Sequence, residues 1–118
     1  MQLKRDRLHQ IHHWLQANYP TPFPTILRIK ELPNPRQFAG ENYYSSTRLI
    51  IRIHKHLPVW LSIDTLLHEY AHCMTHRHDR LERKRMEEGG HDPEWGIAYA
   101  RLLTDFTYKT GEEDSRNY

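Results

Sequence analysis

Hydrophobic and polar positions alternate along this chain with two distinct periods, and the change of period marks its elements. Over residues 3–17, Leu8, Ile11, Trp14 and Leu15 recur at spacings of three and four, which predicts an amphipathic helix with one buried stripe. Tyr19-Pro20-Thr21-Pro22-Phe23-Pro24 ends it, because prolines lack an N–H and push the preceding residues out of the α region into an extended connector. Residues 25–32 (TILRIKEL) read as a strand, and Pro33-Asn34-Pro35 as a turn. After Gly40, residues 42–54 are rich in β-branched and aromatic side chains. Their alternation puts Leu49, Ile51 and Ile53 on one face and Ile50, Arg52 and His54 on the other, as in a half-covered strand, with 42–44 as a hairpin arm.

Beyond Pro58 the period returns to helical. Ser62 or Asp64 is placed to cap a helix through Leu66, Leu67, Tyr70, Ala71 and Met74, and its apolar residues on more than one side predict a deep position in the domain. A last helix starts at Asp92-Pro93-Glu94, with Asp92 as N-cap and Pro93 at the first helical position. Trp95, Tyr99, Leu102 and Phe106 form its buried stripe, and Gly111 is expected to close it, leaving 112–118 as a disordered tail. The expected fold class is α+β, one domain over 1–111: an N-terminal helix, a small, mostly antiparallel sheet, a buried helix and a C-terminal helix.

With 118 residues and a mean hydropathy of −0.89, the chain suits one modest core. It holds no apolar run near the ~20 residues of a membrane span, and its charged start lacks the apolar block of a signal peptide, so a cytoplasmic protein without a membrane partner is expected. Cys73 is the only cysteine, which excludes an internal disulfide and reads as a small buried residue. A net charge of +2 gives no support for a nucleic-acid partner, and the charge run 76–88 mixes both signs as a solvated segment does. The sequence specifies no oligomeric state.

Chemistry enters at His68-Glu69-Tyr70-Ala71-His72, an H-E-x-x-H motif on the buried helix. Two histidines four apart share one helix face and can hold one Zn²⁺, while the intervening glutamate can serve as general base toward a water. In a chain with 10 histidines the pattern arises by chance in roughly 6% of shuffled sequences, so the surrounding elements must carry part of the argument.

Catalytic zinc takes three protein ligands and leaves a position for water. His91 ranks first for the third, because Gly89-Gly90 lets the chain swing back and the capped helix that follows fixes its position; Glu94, His78 and the Glu87-Glu88 pair are the alternatives. HEYAHCMTHRH matches the metzincin pattern H-E-x-x-H-x-x-G-x-x-H except at Thr75, where a glycine would let the chain leave the helix at positive φ. Met86 follows too soon for a Met-turn.

Strand, HEYAH helix and a GGHDPEW opening of the last helix together resemble the SprT-like (Spartan-type) zinc metallopeptidases and minimal minigluzincin-like peptidases of bacteria and phages, over about residues 42–106. The resemblance implies a zincin-like minimal domain and a third zinc ligand at His91, the histidine of an H-G-x-x-F/W motif that here reads His91-Asp92-Pro93-Glu94-Trp95. The sequence departs from that pattern at Asp92, where glycine is commoner. It also lacks the separate zinc-binding and DNA-binding additions of larger members, so recruitment to DNA is not carried over. The resemblance further implies that the strand before the motif helix borders the cleft, which makes 48–54 a candidate edge for an extended peptide.

The expected activity is hydrolysis of a peptide or protein substrate, with His68, His72 and His91 on Zn²⁺ and Glu69 as base. Tyr99, Tyr43, Tyr44 and Arg101 are candidates to stabilise the oxyanion, each weighed against a packing role. The competing reading is a non-catalytic zinc-binding regulatory or DNA-associated module of the same fold. Structural zinc is closed by four ligands, often cysteines, and the single cysteine argues against it.

Overall fold

A computed structural model describes residues 2–31, 39–76 and 92–117. The order of elements is α1 (Gln2–Asn18), β1 (Thr25–Lys30), β2 (Gly40–Ser45), β3 (Arg48–His54), α2 (Val59–Met74) and α3 (Pro93–Asn117). The α+β class holds, with three helices and one three-stranded sheet among the described residues.

The α1 stripe packs as its spacing predicts: Leu8, Ile11 and Leu15 are buried and Trp14 lies against the same core. They meet Leu27 of β1, Leu49, Ile51 and Ile53 of β3, Leu66, Leu67 and Tyr70 of α2, and Leu102 of α3. Polar ties, among them those of His12 and Lys4, lock α1 to its surroundings. His12 Nε2 is hydrogen-bonded to Thr25 Oγ1 at 2.8 Å, and the Lys4 ammonium donates to the carbonyls of Lys55 and Leu57.

The sheet is mixed rather than mostly antiparallel. Its order is β1-β3-β2, with β1 parallel to β3 and β2 antiparallel to it. β3 inserts between the two earlier strands because its run LIIRI is apolar almost throughout, and such a strand gains most from neighbours on both sides. Ile50 is therefore buried between its register partners Ile26 and Tyr43, and His54 is buried too, so the expected half-covered strand is covered on both faces apart from Arg48 and Arg52. The central position also removes 48–54 as a free edge. The edges are β1 and β2, and β2 is the one that borders the cleft.

A two-residue turn joins β2 to β3, with Ser46 at φ 51° and Thr47 at φ 66°. Positive φ at both positions matches the twist of a hairpin, although neither residue is the glycine or asparagine that adopts it without strain. Gly40, at the other end of β2, lies against α2: a Cβ there would sit 2.7 Å from Thr65 Cγ2 and 2.8 Å from the Arg52 carbonyl oxygen. The absent side chain lets β2 approach the motif helix.

The helix ends depart from expectation at two points and agree with it at one. Pro58, without a side-chain cap, precedes α2, whereas Ser62 and Asp64 lie inside it; a proline with fixed φ already starts a helix there. Asp92 does cap α3, its Oδ1 accepting from the Trp95 N–H at 2.9 Å. α3 runs on through Gly111 to Asn117 instead of closing at the glycine, since one glycine in a helix costs only about 1 kcal/mol relative to alanine. Among the described residues no helix is long and apolar enough to cross a membrane.

Candidate metal centre

α2 presents two faces with different contents. Leu66, Leu67, Tyr70, Ala71 and Cys73 are buried in the core, while Leu61, Thr65, His68 and His72 recur at spacings of three and four along a cleft of about 570 Å³. Residues 39–42, at the start of β2, form the opposite wall. The cleft thus lies between the motif helix and a sheet edge.

His68, Glu69 and His72 offer ligand atoms that all lie within 4.8 Å of one another, the group of this kind found among the described residues. A group so close together could hold a metal ion. The donor set fits zinc: two imidazoles from one helix face and a carboxylate beside them. The Cys73 thiol is buried on the core side and burial pushes its pKa up, so it stays a neutral thiol.

Glu69 is 6% exposed. Burial pushes its carboxyl up to about 7, a donated hydrogen bond from Asn42 opposes that rise, and the nearby Glu41 charge adds to it. Asn42 Nδ2 reaches Glu69 Oε1 at 3.0 Å, which leaves the second oxygen for another partner.

The first two turns of α3 close the site on its other flank. The Trp95 ring stacks on His72 with centroids 5.1 Å apart and an interplanar angle of 25°, meets His68 edge-on at 4.9 Å, and donates Nε1–H to the His68 carbonyl at 3.3 Å. Tyr99 stacks on Trp95 and meets His68 at 5.5 Å, while its hydroxyl donates to Asp64 Oδ1. These rings restrict the imidazoles to a narrow range of orientations, the role that outer partners of metal ligands perform.

Of the candidate third ligands, His91, His78 and the Glu87-Glu88 pair lie outside the described residues, as does Met86. Glu94 is exposed in the first turn of α3 and is not in the group of three. Thr75 caps α2 at φ −104°, so the chain does not leave the helix through the left-handed conformation of the metzincin glycine. Of the oxyanion candidates, Tyr99 alone is in ring contact with a motif histidine. Tyr43 lies under the Arg52 guanidinium, Tyr44 stacks with His76, and Arg101 covers the Tyr19 ring.

Three contributors escaped the sequence reading: Asn42, Asp64 as a cleft residue, and Trp95 as a wall against the histidines. Asp64 was open to detection, since it stands four residues before His68 on the same helix face. Asn42 was not, because its contact spans 27 positions. No family model matches the chain, and neither the curated proteins nor the solved structures compared with it include a match.

Proposed function

We propose that this chain is a zinc-dependent metallopeptidase of SprT-like, zincin-like type, acting on peptide or protein substrates. The observation that carries the reading is the convergence of His68, Glu69 and His72 in a cleft whose opposite wall is a sheet edge. His68 and His72 would hold the ion together with His91. Zinc bound there supplies a Lewis acid that lowers the pKa of water and polarises a carbonyl.

The chain's own groups do the rest. β2 pairs with β3 on one side, and its other side is unpaired among the described residues, so an extended peptide can add to it by main-chain hydrogen bonds. Glu69 takes a proton as the water oxygen attacks the peptide carbonyl carbon, then gives it to the amide nitrogen as the C–N bond breaks. Asn42 holds one carboxylate oxygen of Glu69 so that the other points to the reacting groups. Tyr99 and Trp95 keep His68 and His72 in place and limit water on that flank.

Glu69→Gln tests the reading, because it keeps the shape and removes the base. The variant is expected to retain its fold and its zinc, measured by elemental analysis, and to lose at least a hundredfold in peptide cleavage. Undiminished cleavage would reject the assignment, and loss of zinc with no cleavage by the parent protein would favour a purely metal-binding module.

A further inference from the structure

The cleft has an acidic subsite one helical turn from the histidines. Asp64 precedes His68 by four residues, so its side chain lies ~6 Å along α2 toward the helix N-terminus, and it lines the same cleft. The position is in the second turn of α2, beyond the first-turn sites where the helix dipole favours a carboxylate, and aspartate is a weak helix former. Helix stability therefore does not explain the residue.

Its surroundings leave charge available. The Tyr99 hydroxyl, pushed up to about 12 chiefly by burial, stays a neutral donor and fixes Asp64 through Oδ1. A carboxylate offers about four lone-pair positions over two oxygens, so Oδ2 can accept further bonds. The other carboxylate outside the motif, Glu41, is paired with Arg52. No lysine or arginine lines the cleft among the described residues.

We propose that Asp64 is a specificity determinant that receives the ammonium or guanidinium of a lysine or arginine side chain in a peptide lying along β2. The assignment rests on the peptidase reading and names its substrate class. Side chains on one face of an extended peptide recur every ~6.6 Å, close to one helical turn, so the cationic residue falls within two positions of the bond beside Glu69. Tyr99 acts here as the residue that orients Asp64.

The test uses the full chain loaded with zinc and internally quenched hexapeptides in which each position in turn is lysine, norleucine or glutamate. One position is expected to favour lysine over norleucine by roughly tenfold in kcat/KM, the size of a partly shielded charge pair, and to disfavour glutamate. Asp64→Asn keeps an acceptor for Tyr99 but removes the charge. It is expected to bring the lysine-to-norleucine ratio to within about twofold, with the loss in KM and with the preference weakening as salt rises. A preference that survives Asp64→Asn, or none at any position in an active parent, overturns the proposal. Calorimetric binding of the same peptides to Glu69→Gln and to Glu69→Gln/Asp64→Asn provides a readout without turnover. If no peptide is cleaved, the peptidase reading fails by itself, and equal affinity for lysine and norleucine peptides rejects the Asp64 subsite separately.

Discussion

Asn42 on the edge strand donates a hydrogen bond of 3.0 Å to Glu69 on the motif helix, so the strand that would receive a peptide also holds the proposed general base. The contact depends on Gly40 two residues earlier, where any side chain would meet Thr65. Strand position and carboxylate orientation are thereby coupled.

Replacing Asn42 by alanine is expected to leave zinc content and far-UV spectrum unchanged and to lower kcat by 10–100-fold, the usual effect of removing an outer partner in a metal site. KM should change little, because the proposed peptide would pair with the β2 backbone and not with the Asn42 side chain. Steady-state kinetics of the zinc-loaded variant check this, and an unchanged kcat would mean that Glu69 is held by other contacts.

His12 predicts a pH-dependent stability. Burial first, and then the neighbouring His9 and His13, lower its pKa from 6.5 to about 4. The folded state therefore resists protonation: the contribution is full above the unfolded pKa near 6.5, and is lost as pH falls from there to about 4. Denaturant unfolding of the metal-free protein should show about 2 kcal/mol of this contribution lost between about pH 7.5 and about pH 5. Glu69, raised to about 7, acts in the opposite sense over part of this window, so the His12 share is the difference between the parent and His12→Asn. Equal pH slopes in the two proteins would contradict the assignment.

The Ser46-Thr47 turn stores strain that substitution can release. Left-handed backbone costs a residue with a Cβ roughly 1–2 kcal/mol, least for asparagine and nothing for glycine. Ser46→Asn with Thr47→Gly should therefore raise stability by about 1–2 kcal/mol and the midpoint of thermal unfolding by roughly 3–8 °C. Calorimetry of the double variant gives the answer; a lower midpoint would show that the hydroxyls of Ser46 and Thr47 outweigh the backbone strain.

Much of the architecture was legible in local patterns. The α1 stripe, the Asp92 cap, and the end of α1 at the proline-rich connector before Thr25 each depend on residues within a few positions, where steric and hydrogen-bond rules act directly. The ends of α2 and α3 were less so: Pro58 started a helix without a polar cap, and Gly111 was too weak a breaker to stop one.

Sequence by itself determined that His68 and His72 share a helix face with Glu69 beside them, because the period of an α-helix requires it. It also determined that α2 is buried, since apolar residues on several sides need several neighbours. Tertiary structure decided which edge strand borders the cleft, that Asn42 reaches Glu69, and that Trp95 and Tyr99 pack against the histidines. Strand order is set by how residues far apart in the chain compete to cover the same apolar surface, a comparison that no local period contains. β3 won the centre, β2 was left at the edge, and the cleft formed there.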